Sequence, residues 1–298
     1  MGKKKKYLIR TIIGLGLVTF CLKGVTKPEK ELAKVNKTIT PTVFIHGFMG
    51  DDNSMSELMR GITGIPQEKR LVHSDTLHKD VLRLLSFDGQ EKTYIVKKND
   101  VQSYSFEDGQ KGVIKVVFEN AHFIGSAGSI NDNSLYLEAA MEEIKKDYGN
   151  RFVNLVGHSM GGVTSANYAL DMYSKVRIVP TSQAIQVDKL VTFGSPFKGS
   201  RYGIKSKDGR IGETIVQNLA NGGAEIKKRF GEKQMKFNPN MKVLSFASPT
   251  DFFVSIDSAF GMEDYIEEDN FKKVKIYGSH SSMMTKSIAI EEVKSFLQ

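Results

Sequence analysis

The chain has a single cysteine, Cys21, and no tryptophan. One thiol excludes a disulfide framework and any thiolate metal cage. Proline is scarce, with 7 in 298 residues, and neither an internal repeat nor a low-complexity tract breaks the sequence. A hydrophobic content of 40% and a charged content of 26% exclude wholesale disorder. A chain of this length buries a core without staples, as two ordinary domains or one large α/β domain. The longest stretch without acidic residues is the N-terminal one. Residues 1–24 carry Lys3, Lys4, Lys5, Lys6, Arg10 and Lys23 and no acid, which leaves 36 basic against 34 acidic side chains in the rest. The formal +8 is therefore mostly N-terminal. A nearly neutral body gives no basic groove for phosphates, so nucleic acid is not an expected partner.

The same N-terminal stretch reads as an address. Four lysines precede an uncharged apolar run, residues 11–22, of 12 residues. That is the layout of a secretory signal, and it is short of the roughly 20 residues of a membrane-spanning helix. Residues 1–26 are expected to be a signal peptide or an N-terminal membrane anchor, and the polar residues 27–37 a linker. No A-x-A cleavage pattern follows the apolar run. Cys21 sits behind bulky Phe20 and reads as an inert apolar thiol rather than a lipidation site. The expected location is secreted or cell-surface, with any envelope contact made through the N-terminus.

From residue 38 onward, strand-like and helix-like segments alternate. Strands are expected at 42–45 (TVFI), 113–118 (VIKVVF), 151–156 (RFVNLV), 189–193 (KLVTF), 242–246 (KVLSF) and 274–277 (VKIY). Residues 92–96 (KTYIV) are a candidate pairing partner for 113–118. Leu137, Met141, Ile144 and Tyr148 share one helical face over 133–148, with Ser134 as N-cap and Gly149 as stop. Further helices are expected over 162–173 and 291–297. Alternation of this kind predicts βαβ units around a mostly parallel sheet flanked by helices. The polar, Gly- and Lys-rich residues 199–240 interrupt it and are a candidate cap.

The strongest chemical signal is Gly157-His158-Ser159-Met160-Gly161-Gly162, a G-x-S-x-G motif between an apolar strand and a helix. The motif needs that context: the chain turns sharply and holds the serine outward in a strained conformation, and the glycines let strand and helix approach. Ser159 would sit at a helix N-terminus, where developing negative charge is favoured. Acyl transfer also needs donors for the oxyanion. The backbone N–H of Met160, next after the nucleophile, is one. Phe48 N–H, in the His46-Gly47-Phe48-Met49-Gly50 loop after the first strand, is the natural second. His46 reads as an imidazole bonded within that loop.

HGFMG, GHSMGG, FGSPFKG, PTDFFVSIDSAFG and YGSHSSM together resemble the α/β-hydrolase superfamily, over roughly residue 38 to the end. The likeness is greatest to the poorly characterised cell-surface hydrolases of Gram-positive bacteria, which are lipase- or esterase-like and carry an export signal. The resemblance implies the α/β-hydrolase fold for residues 38–298 and a triad in the order nucleophile, acid, histidine. Asp251 then follows one strand and His280 another, each past the carboxyl end where such sheets gather their sites. Asp257 and Asp264 lie in the same loop; the resemblance favours Asp251. That family often has Gly after the acid, where this chain has Phe252.

The sequence thus leads to a serine hydrolase acting on a small-molecule or lipid ester, with no cofactor and no metal. The same triad would serve an amidase, thioesterase or peptidase, and a silent cell-surface binding module on the fold is the reading from another class. His73, Asp75, His78 and Asp80 have no standard zinc spacing and read as a solvated segment. Phe252-Phe253 and Phe48-Met49 read equally as acyl-pocket lining or plain core. Lys227-Lys228-Arg229 reads as a solvated face.

Overall fold

The computed structural model describes residues 40–48, 50, 54–63, 81–86, 93–97, 100–102, 113–118, 130–149, 151–178, 183–201, 219, 224–230 and 236–298. The chain divides into two compact units, Met1–Val35 and Asn36–Gln298, and all of these residues belong to the second. The expected address segment, residues 1–26, the linker, residues 27–37, the His73–Asp80 stretch and most of the candidate cap, residues 199–240, lie outside the described residues.

The strands in chain order are β1 (Thr42–Ile45), β2 (Val81–Ser86), β3 (Thr93–Lys97), β4 (Asp100–Gln102), β5 (Val113–Phe118), β6 (Phe152–His158), β7 (Gln186–Phe193), β8 (Lys242–Ala247) and β9 (Phe271–Lys275). The helices are α1 (Ser56–Thr63), α2 (Ile130–Tyr148), α3 (Met160–Ile178), α4 (Ala224–Phe230), α5 (Ile256–Ala259) and α6 (Ser287–Leu297). One sheet runs β4-β3-β2-β5-β1-β6-β7-β8-β9. The block from β5 to β9 is parallel throughout, and β2, β3 and β4 form an antiparallel wing on β5. This is the α/β architecture the alternation predicts.

In β1, β6, β7 and β8 successive residues point to opposite faces, and both faces are largely buried. Val43, Leu155, Leu190 and Val243 join one apolar cluster with Leu137, Met141 and Ile144 of α2 and Met160, Val163, Ala166, Tyr168 and Met172 of α3. Phe44, Val156, Val191 and Leu244 join the other, with Leu58 and Met59 of α1, Ala289 and Val293 of α6, and Met283. Phe193 and Phe246 stack across β7 and β8, with ring centroids 4.3 Å apart. At roughly 25 cal/mol per Å² of apolar area removed from water, two covered faces are the main stabilising term. They also make the upper rim of β1, β6, β7 and β8 a rigid ledge.

Four expectations are corrected. Residues 93–97 do not pair with β5; they pair with β2 and β4, and β2 takes the place beside β5. Ser134 is not an N-cap. The helix begins at Ile130 and buries Ser134 in its second turn, where the hydroxyl donates to Thr164 O at 3.4 Å and accepts from Asn167 Nδ2 at 2.7 Å. The helix expected from 162 starts at Met160 and runs to Ile178. The last strand is Phe271–Lys275, ahead of the expected 274–277. Gly149 does stop α2, in the left-handed region at φ +65° with its N–H on Lys145 O. Of the candidate cap, α4 packs Ile226 and Phe230 into the α2–α3 core, and Arg229 pairs with Asp171 at 3.0 Å.

The strand–helix junction leaves no room for side chains. A Cβ on Gly161 would lie 2.3 Å from Ile45 O and 2.4 Å from His46 O, both backbone atoms. Gly161→Ala is expected to destabilise the fold by about 3 kcal/mol, the upper end for overpacking a tight site. Urea unfolding checks this. A midpoint equal to wild type at the same m-value would mean that β1 and α3 can separate without cost.

Candidate active site

Five loops meet on the carboxyl rim of the parallel block. β6 ends at His158 and α3 starts at Met160, so Ser159 is the corner between them. Its φ of +52° is in the left-handed region, rare for a residue with a Cβ. The turn is held from both sides. Ser159 N–H donates to Phe193 O at 2.8 Å, and Ser159 O accepts from Gly162 N at 3.1 Å. A Cβ on Gly157 would meet Gly162 at 2.5 Å, so close approach of strand and helix depends on glycine there. Strain of this kind persists only where the surroundings impose it.

Met160 is the first residue of α3, fully buried, and its N–H is among the helix-end donors that lack an intrahelical acceptor. The β1 loop lies against the corner: a Cβ on Gly47 would be 3.0 Å from Ser159 Cβ. Phe48 follows it and packs, half-buried, on the α3 core. His46 is buried and donates from Nδ1 to Gly47 O at 2.7 Å, and Gly50 N–H donates to the same oxygen at 3.0 Å. The imidazole therefore serves the shape of its own loop. Met49 lies outside the described residues.

Asp251 and His280 come from the turns after β8 and β9 and meet. His280 Nδ1 is 2.7 Å from Asp251 Oδ2. The other carboxylate oxygen, Oδ1, accepts from Phe253 N at 2.8 Å and Val254 N at 3.0 Å. Burial raises the cost of charge on Asp251, but His280 and the two backbone donors outweigh it and hold the carboxyl below its ordinary value. Gly194, directly after the β7 residue that binds Ser159 N–H, is the shared neighbour: a Cβ there would lie 3.0 Å from Asp251 Oδ2 and 3.1 Å from His280 Nδ1. The rival acids are engaged elsewhere. Asp257 and Asp264 lie 3.0 and 3.5 Å from Lys198 Nζ. The acid and histidine turns are also clipped together, since Ser248 Oγ and Thr250 Oγ1 donate to Gly278 O at 2.6 and 2.9 Å.

The structure adds two features to the sequence reading. His158, the unspecified residue of the motif, is buried and touches the histidine loop: its Nε2 is 3.0 Å from His280 O and the two rings lie 4.8 Å apart. The aromatic pair after Asp251 is at the surface rather than in the core, with Phe252 62% and Phe253 48% exposed. The Phe253 ring is 5.3 Å from that of His280.

Burial, then the neighbouring His280, push His158 down to about 3; the Asp251 charge opposes this and His46 adds to it. The folded pKa lies below the unfolded value near 6.5, so the unfolded chain binds the proton first. Stability from neutral His158 is full above that value and declines as pH falls toward 3, at up to about 1.4 kcal/mol per pH unit. Asp251, also depressed, adds its own loss only below its unfolded value near 3.9. Calorimetric Tm between pH 7.5 and 5 should therefore fall for wild type and fall less steeply for His158→Gln. Equal slopes would show that His158 is not the group that titrates.

A parallel sheet with helices on both faces and a strained serine at a strand–helix corner defines the α/β-hydrolase fold. The chain belongs to the α/β-hydrolase family of unknown function DUF915, whose model matches residues 29–298. No curated protein matches the chain. Among solved structures, the lin2722 gene product of Listeria innocua is 18% identical, covers 87% of this chain and 94% of its own, and superposes with a TM-score of 0.53. A monoacylglycerol lipase of Paleococcus ferrophilus is 12% identical, with 87% and 95% covered and a TM-score of 0.50. Est1E of Butyrivibrio proteoclasticus is 15% identical, with 88% of each chain covered and a TM-score of 0.50. At these identities the likeness is one of fold.

Proposed function

We propose that the protein is an exported serine hydrolase that cleaves carboxylic esters through an acyl-enzyme on Ser159. The observation that carries this reading is the 2.7 Å bond from His280 to buried Asp251, on the rim that also holds a serine at φ +52°. His280 takes the Ser159 proton on Nε2 as Oγ attacks the ester carbonyl. Asp251 keeps the proton on Nδ1 and stabilises the imidazolium. The oxyanion receives the N–H groups of Phe48 and Met160. His280 then protonates the departing alkoxide, and a water repeats the sequence to release the acid. Exposed Phe252 and Phe253 beside His280 support an apolar ester, lipid or small molecule, as substrate. The lysine-led apolar run at residues 3–22 supports export or tethering at the cell envelope.

The test uses the full chain in mild detergent. A fluorophosphonate probe should give one adduct, located by mass spectrometry on Ser159, alongside turnover of a p-nitrophenyl ester chain-length series. Folded protein with neither adduct nor turnover would overturn the reading.

A further inference from the structure

We infer that His158 is a positioning residue for the base: a buried imidazole that fixes the backbone of His280 to the nucleophile's own turn. The inference rests on the hydrolase reading and adds a residue to its machinery. The bond from His280 to Asp251 settles the far nitrogen of the base. It does not by itself set how far the ring stands from Ser159, because Asp251 and His280 belong to turns clipped to each other, not to β6. His158 supplies that link. A carbonyl oxygen only accepts, so at 3.0 Å from His280 O the proton is on His158 Nε2. The Nδ1 edge faces the third piece of the site, since a Cβ on Gly47 would come within 2.9 Å of it. One buried ring thus abuts the Ser159 turn through the chain, the oxyanion loop through Gly47, and the base through the carbonyl and a ring contact of 4.8 Å.

The protonation state suits the task. A His158 that charged near neutrality would repel the imidazolium formed on His280 and compete for the Ser159 proton. Burial keeps it neutral. A displacement of about 1 Å costs on the order of 10²-fold in rate, so loss of the donor should appear in the chemical step rather than in binding.

The experiment compares full-chain wild type, His158→Gln and His158→Phe. The Gln amide nitrogen reaches where Nε2 stands and keeps a donor; Phe keeps the ring and removes it. Ester kcat and the fluorophosphonate inactivation rate are expected to fall about 10–100-fold in His158→Phe, with KM within about threefold. In His158→Gln both should stay within about threefold of wild type, and that rescue is what a purely structural role would not produce. If His158→Phe does not fold, the smaller His158→Leu asks the same question. Wild type that labels at Ser159 while His158→Phe or His158→Leu keeps wild-type kcat overturns the inference alone. Wild type that never labels overturns the hydrolase reading, and the inference with it.

Discussion

Ser159→Ala is expected to lower ester turnover on the order of 10⁶-fold, because a nucleophile removed from a triad takes the whole covalent route with it. The fold should survive, since the corner is held by main-chain bonds to Phe193 and Gly162 that the substitution leaves in place. Ala keeps a Cβ at φ +52° and so keeps the strain. Ser159→Gly removes it and should unfold later, by on the order of 1–3 kcal/mol. Activity lost and stability gained at one position would mark the strain as serving chemistry. Substantial turnover in Ser159→Ala, measured with contaminating esterase excluded by the fluorophosphonate adduct pattern, would dismiss Ser159 as nucleophile.

Asp251→Asn should cost about 10⁴-fold in kcat, as the change of acid to amide does in triads of this type. The local geometry says why. Phe253 and Val254 N–H both need the oxygen now supplied by Oδ1, so the new amide oxygen stays with them. The amide NH₂ then faces His280 Nδ1. Two donors cannot share that contact, and the proton moves to Nε2, leaving no lone pair toward Ser159. Asp257→Asn and Asp264→Asn, whose carboxylates hold Lys198 at 3.0 and 3.5 Å, should leave kcat near wild type. A loss below tenfold at Asp251, or a larger one at Asp257 or Asp264, would reassign the acid.

How much of this the sequence carries depends on how local each signal is. The corner at Ser159 is readable because strand, glycines and helix are contiguous. The central strands are readable because burial on both faces writes them as short apolar runs, interrupted by single small polar residues such as Asn154, Thr192 and Ser245. The antiparallel wing is not. VLRLLS is followed by Asp88-Gly89, a turn signal toward β3, but its apolar residues do not alternate, and its pairing with β5 joins segments distant in the chain. β9 is misplaced by a few residues because FKKVK is a mostly exposed edge strand with three lysines, which blurs any alternation. Ser134 has the composition of a cap, but Asn167, 33 residues on, recruits its hydroxyl into the helix interface. Three aspartates in one loop differ by what lies across from them, which a linear order does not state. His158 occupies a position the motif leaves open to any residue.

The clip between the acid and histidine turns bears on how such a chain can change length. Ser248 and Thr250 each accept from Gly278 N–H at 3.2 Å as well as donating to its carbonyl. The two turns therefore share one fastening, independent of the excursion that separates them. That excursion, through α5 and the short turns up to β9, is free to grow at its surface. An insertion between residues 266 and 269 would lengthen the path from Asp251 to His280 without stretching the bond between them. In relatives with longer loops here, new material would gather at the amino end of β9, beside Pro239 and across the sheet from the catalytic rim, so the pair that drives proton transfer stays in register.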